Sequence, residues 1–228
     1  LDDQDRAFTS GVYAVFNPAF ATGPRPGDAW GTVAAWAWGA SRAVDYLKSE
    51  PALAALPVAV IGHSRGGKAA LWCGAQDERV ELTISNNSGS TGAALARGKR
   101  GESVALINGR FTHWFAGNYR RYDDAEDQLP VDQHLLIALA APRLVYVASA
   151  TEDAWADPAA EFRACVEASP VWSLFGQPGL LGGATQPPPD TPRPEGRIGY
   201  HLRTGDHALT LSDWEKYLDF ARRHWPRP

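Results

Sequence analysis

Apolar positions recur along the chain with two periods, and the alternation between them predicts the architecture. From 28 to 49, apolar side chains at 30, 33, 34, 37, 40, 44 and 47 follow a helical repeat, with Asp28 as the expected N-cap. Pro51 and Pro57 bracket a short connection, and Val58-Ala59-Val60-Ile61 reads as a strand buried on both faces. Gly62 to Gly67 is a turn, 67–77 a helix, and Val80 to Ile84 a second buried strand. Asn86 to Asp127 is irregular, polar and aromatic, the pattern of a long functional loop. Beyond it come a helix over Val131 to Ala140, a third strand over Leu144 to Ala148 and a helix from Pro158 to Val166. Residues 176–196 are dense in Pro and Gly and predict a surface loop. Arg197 to Leu202 is a fourth strand, and Ser212 is placed to cap a closing helix to Arg223. Before the first helix, Val12 to Phe16 is the one further strand candidate.

Strands that alternate with helices predict an α/β protein: a three-layer sandwich with a mostly parallel sheet and helices on both faces. No repeat or linker divides the chain, so 1–228 is expected to form a single domain. Composition adds three exclusions. A formal net charge of −4 supplies no basic field, so no nucleic-acid partner is expected. No apolar run approaches the ~20 residues of a membrane span, so no membrane partner is expected either. Two cysteines are too few for a disulfide framework, and Cys73, inside an apolar helical stretch, is expected buried and free. The nine Trp residues fit a core of large aromatics or, for some of them, stacking on sugar rings. Methionine is absent and the chain opens Leu1-Asp2-Asp3, which implies a processed protein or a fragment. No basic segment followed by an apolar one marks a signal peptide within this text.

The chemistry centres on Gly62-His63-Ser64-Arg65-Gly66. Gly-x-Ser-x-Gly between a buried strand and a helix is a nucleophile elbow, in which a tight turn exposes the serine Oγ above the sheet at a helix N-terminus. A serine needs a base, and the base an orienting acid. In the α/β-hydrolase fold these follow in the order Ser, acid, His. The third strand leads into Thr151-Glu152-Asp153-Ala154-Trp155, which offers Asp153 and Glu152 as the acid; the fourth leads into Arg203-Thr204-Gly205-Asp206-His207, which offers His207 as the base. His201 inside the strand and His134 on a helix face read as structural, and His63 as supporting the elbow. The histidines and acids show no metal-ligand spacing. That fold usually spends several strands before its elbow, and only 63 residues precede Ser64, so N-terminal strands are expected to be missing.

Gly62-His63-Ser64-Arg65-Gly66-Gly67-Lys68 resembles the Gly-Cys-Ser-Arg-x-Gly-Lys signature of glucuronoyl esterases. The similarity continues through Gly27-Asp28-Ala29-Trp30-Gly31, Gly101-Glu102-Ser103-Val104, His113-Trp114-Phe115, Leu129 to His134, Ala141-Pro142-Arg143, Asp153 to Pro158 and Gly205-Asp206-His207. The resemblance implies a cofactor-free serine carboxylic-ester hydrolase that cleaves the bond between a lignin alcohol and 4-O-methyl-glucuronic acid of glucuronoxylan. It implies Arg65 against the oxyanion, Lys68 and Glu102 on hydroxyls of the uronic sugar, and Trp155 against the ring. It also implies a secreted or periplasmic enzyme, expected to act as a monomer. Some members carry the acid on the loop after the strand that follows the nucleophile helix. Here that loop reads Ser85-Asn86-Asn87-Ser88-Gly89, and an Asn cannot be the charged partner of an imidazolium, so Asp153 is the expected acid ahead of Glu152. The alternatives are an esterase of the same fold for acetyl or small acyl groups, and a non-catalytic carbohydrate-binding remnant.

Overall fold

In the computed structural model, residues 3–16 and 24–225 are described. Strands β1 (Val58–His63), β2 (Val80–Asn86), β3 (Leu144–Ala150) and β4 (Ile198–Arg203) form one sheet in the order β1-β2-β3-β4, parallel throughout. The helices are α1 (Val12–Phe16), α2 (Thr32–Ser49), α3 (Arg65–Gln76), α4 (Val104–Arg110), α5 (Gln133–Ala138), α6 (Pro158–Ser173) and α7 (Leu211–His224). Helix α3 carries the chain from β1 to β2, and α6 from β3 to β4, as parallel pairing requires.

Alternation along the strands sorts side chains between two cores. Val145, Val147, Ile198, Tyr200 and Leu202 pack against Leu71 of α3, Ile137 of α5 and Phe162 and Trp172 of α6. The intervening positions Leu144, Tyr146 and Ala148, with Leu82 and Ile84, pack against Tyr217 and Phe220 of α7. Full burial of a side chain such as Phe162 or Phe220 contributes about 1.5–3 kcal/mol. The two layers require Gly199, since a Cβ there would stand 2.4 Å from the Tyr146 ring. Of the two edge strands, β4 is buried along its whole length, as is the inner β3, whereas β1 is buried only at Val58, exposed at Ala59 and half-buried from Val60 on.

Several boundaries differ from the sequence expectation. Helix α2 begins at Thr32, and Asp28 does not cap it. Its free N–H groups are met by tertiary contacts instead: Thr32 N donates to His113 O at 2.9 Å and Val33 N to Trp114 O at 3.2 Å. Val12–Phe16 is a helix rather than a strand, because its one buried side chain, Tyr13, stacks on Trp30 at 4.5 Å instead of entering a ladder. Helix α6 runs on to Ser173 past Pro170, anchored by the fully buried Trp172, whose Nε1 donates to Arg143 O at 3.0 Å. Helix α7 starts at Leu211 behind a Thr210–Asp213 capping box, so Thr210 rather than Ser212 is the cap. The 86–127 segment is not wholly irregular. It holds α4, capped by Ser103, and a short 3₁₀ turn over Gly117–Tyr122. Cys73 and Cys165 are both buried and unpaired.

Candidate active site

Strands β1, β3 and β4 each run past the predicted end, and each delivers a site residue at its C-terminal edge, where ligands bind in open α/β sheets. β1 ends at His63 and α3 begins at Arg65, leaving Ser64 alone in the turn with φ 56° and ψ −123°. A non-glycine residue in that region is strained by about 1–3 kcal/mol. The turn is held by Ser64 N donating to Asn86 O at 2.9 Å and by Gly67 N donating to Ser64 O at 2.9 Å. Sterics explain the glycines unevenly. A Cβ on Gly62 would lie 1.9 Å from Gly66 O and one on Gly67 2.9 Å from Ser88 Cβ, while one on Gly66 would meet nothing within 4 Å.

Asp153 follows β3 and is 5% exposed; His207 follows β4 and has a half-exposed ring. His207 Nδ1 lies 2.6 Å from Asp153 Oδ2. That contact consumes Nδ1 and leaves Nε2 for a nucleophile. The hydrogen bond to Asp153 holds the His207 imidazole above its ordinary pKa, against the opposing effect of burial. Burial pushes the Asp153 carboxyl up, but the hydrogen bonds from His207 and Asn87 outweigh it and hold the group below the usual range. Glu152, the other acid candidate, is exposed. Asn87, where an Asn seemed to leave the acid position empty, donates from Nδ2 to the same Asp153 Oδ2 at 2.9 Å. The ring of His63, next to Ser64, stands 4.5 Å from that of His207 between centroids, so the His207 imidazole lies beside the elbow.

Lys68, one helical turn beyond Ser64, is buried, and its Nζ donates to Ser88 O and, at 2.5 Å, to Ser90 O. Burial lowers the ammonium to about 8, and the charges of Glu102 and Glu161 oppose the fall. Glu102 is buried and tied through its backbone N–H to Trp155 O at 3.0 Å; the Trp155 ring is exposed. These three residues thus lie close to Ser64 and Asp153: Lys68 is in the helix that Ser64 opens, its charge interacts with that of Glu102, and Glu102 is bonded to the turn that follows Asp153. Arg65 stands apart from this arrangement. Its guanidinium binds the Asp3 carboxylate and lies 5.1 Å above the Trp114 ring, while Asp3 also accepts from Trp114 Nε1 at 2.8 Å. No local pattern announces a pairing across 62 positions.

Two other features escaped the sequence reading, and a third was expected. Glu161 in α6 is fully buried, accepts from Gly89 N at 2.9 Å and Ser149 Oγ at 2.7 Å, and is pushed up by burial to about 7. It thereby braces the 87–90 loop that holds both Asn87 and the carbonyls facing Lys68. His63 Nδ1 meets Asn86 Oδ1 at 2.6 Å. His201, expected to be structural, is buried between Asp213 Oδ1 at 2.8 Å and the Tyr146 hydroxyl at 3.1 Å. Among the described residues no group of three or more His, Cys, Asp or Glu could hold a metal ion, and no helix is long and apolar enough to cross a membrane.

Ser64 in the turn after β1, Asp153 after β3 and His207 after β4 follow the chain order Ser, acid, His of the α/β-hydrolase fold. The sequence profile described as "Glucuronyl esterase, fungi" matches residues 25–176, two thirds of the chain. The chain belongs to the glucuronoyl esterase family. It is 48% identical over 223 residues to the "Carbohydrate esterase MZ0003" of an unknown prokaryotic organism, which covers 97% of this chain and 51% of that protein. It is 37% identical over 154 residues to the 4-O-methyl-glucuronoyl methylesterase of Schizophyllum commune, covering 63% of this chain and 39% of the relative. The solved glucuronoyl esterase from Solibacter usitatus superposes with a TM-score of 0.88 at 51% identity, over 95% of this chain and 54% of that one. The chain therefore spans about half the length of the relatives it matches.

Proposed function

We propose that this glucuronoyl esterase chain hydrolyses esters of 4-O-methyl-glucuronic acid on glucuronoxylan, with lignin alcohols as leaving groups. The observation that carries the reading is the 2.6 Å contact of His207 Nδ1 with Asp153 beside the Ser64 elbow. The base is thereby oriented, with its free nitrogen available to the nucleophile. The name of the Schizophyllum commune relative, a 4-O-methyl-glucuronoyl methylesterase, supports the uronate ester as substrate. The buried Lys68 and Glu102, beside the exposed Trp155, suit a hydroxylated, acid-derived sugar better than an acetyl group. Because the polymer does not enter cells, the place of action is outside the cytoplasm.

In the first step, His207 Nε2 takes the Ser64 proton as Oγ bonds to the uronoyl carbonyl carbon. The oxyanion is met by the backbone N–H of Arg65 at the start of α3, while the Arg65 guanidinium, paired with Asp3, is turned to the Trp114 ring. The carbon–oxygen bond to the alcohol then breaks, and His207 returns the proton to the leaving oxygen. Water repeats the sequence on the acyl-enzyme, releasing the uronic acid and Ser64. Asp153 stays ionised and holds the imidazole tautomer throughout.

Ser64→Ala and His207→Ala are each expected to abolish turnover of a benzyl glucuronate ester. Turnover at the unsubstituted level in either variant overturns the assignment. A preference for acetyl esters that is indifferent to Lys68→Met would transfer the reading to the small-acyl alternative.

A further inference from the structure

The Ser64 elbow carries a second imidazole. We infer that His63 is a positioning residue for the base: its ring, pinned by Asn86 and Tyr217, packs against the His207 imidazole and keeps that ring turned toward Ser64. The inference rests on the reading of His207 as the base.

His207 needs such support. It lies in the loop between β4 and α7, outside regular structure, with 44% of its side chain exposed. Asp153 fixes one ring edge, at Nδ1, and a single hydrogen bond leaves rotation about its own axis open. A second contact is with the His63 ring, 4.5 Å away between centroids and tilted by 47°. That ring is itself held. Asn86 Nδ2 donates to the Tyr217 hydroxyl at 2.8 Å, which turns Asn86 Oδ1 toward His63, 2.6 Å from Nδ1. An amide oxygen in that place accepts from His63 Nδ1–H and selects that tautomer. A continuous set of contacts therefore runs from Tyr217 in α7 through Asn86 at the end of β2 and His63 at the end of β1 to His207 and Asp153.

The arrangement keeps the two rings in different charge states. Burial lowers the His63 pKa, and a charged His207 lowers it further, while Asn86, Asp153 and Asp213 act in the opposite direction. His207 is raised by Asp153 and Glu161, against burial and Lys68. His207 therefore takes the proton first, and a neutral His63 presents its ring to the imidazolium that forms during acyl transfer. A π face beside a cation is favourable, whereas a second cation would be repulsive.

The test uses the full chain with His63→Ala and His63→Phe, a benzyl glucuronate ester as substrate, and imidazole ¹⁵N spectra through a pH titration. For His63→Ala, kcat is expected to fall about 10- to 100-fold with KM nearly unchanged, the cost of a loosened base. His63→Phe, which keeps a ring in place, is expected to restore most of kcat. In the unsubstituted chain the spectra should show His63 neutral with the proton on Nδ1 while His207 titrates. In His63→Ala the His207 titration should move to higher pH as water reaches the uncovered ring. An unchanged kcat and an unmoved His207 titration in His63→Ala would overturn the inference, as would protonation of His63 ahead of His207. Full turnover by His207→Ala would instead overturn the triad reading on which it rests, so the two failures are distinguishable.

Discussion

Replacing Asp153 by Asn tests the triad at its most buried member. The carboxylate accepts at Oδ2 from both His207 and Asn87 and at Oδ1 from Ala156 N, so donors face both of its oxygens. An amide cannot satisfy that set. With its oxygen toward His207, the NH₂ group opposes the Ala156 N–H. With its NH₂ group toward His207, the imidazole must switch tautomer and present Nε2–H to Ser64, which cannot then give up its proton. Either arrangement also removes the charge that stabilises the imidazolium. At the 2.6 Å contact that charge is worth about 6 kcal/mol for an effective dielectric of 20. The half-exposed ring and salt screening reduce this to roughly 3–5 kcal/mol, a loss of about 10²–10⁴ in kcat/KM. The assay is kcat/KM on a benzyl glucuronate ester, with fluorophosphonate labelling of Ser64 as a second readout and Glu152→Gln as the paired control. Near-normal turnover in Asp153→Asn together with a large loss in Glu152→Gln would refute the assignment.

Four further outcomes are expected. Glu161 titrates near 7 in the folded chain, above its ordinary value, so its contribution to stability declines as pH rises from about 4.5 to 7 and is flat beyond. Glu161→Gln keeps an acceptor for Gly89 and removes that decline; differential scanning calorimetry should show a gain of about 3 kcal/mol at pH 8 and none at pH 4, and an unchanged pH slope would count against the argument. In the pH profile of kcat/KM, the acid limb should lie above the ordinary histidine value of about 6.5, because His207 is raised and must be unprotonated to act. An alkaline fall near pH 8, carried in KM, should mark discharge of Lys68 and vanish in Lys68→Met, with KM raised about 10- to 100-fold. Gly62→Ala should fail to give a folded product, since its Cβ would meet Gly66 O at 1.9 Å, whereas Gly66→Ala, in open space on a helix, should leave stability unchanged or raise it by up to about 1 kcal/mol, read as an equal or higher melting temperature. Equal destabilisation by the two substitutions would contradict the steric account of the elbow.

Much of the frame was legible in the chain. Short apolar runs with helical segments between them announced a parallel α/β sheet, because strands buried on both faces are apolar throughout and their crossovers need helices. Gly62-x-Ser64 between strand and helix, with Asp153 and His207 after the next strands of the order, placed the candidate triad before any contact was known. These are local signals, and a motif carries its own backbone geometry. Other features were decided by tertiary structure. Asn87 looked like a vacant acid position, yet the loop turns its amide onto Asp153. His63 read as a neighbour of the nucleophile, yet the meeting of β1, β2 and the loop after β4 sets it against His207. Asp3 on Arg65, the 113–114 carbonyls at the start of α2, and Glu161 beneath the 87–90 loop join residues far apart in sequence. Periodicity reports which face of an element is buried, and a motif reports a local turn. Which distant polar group completes a buried hydrogen bond depends on where the packed elements bring their ends, and that is determined only when the whole sheet has formed.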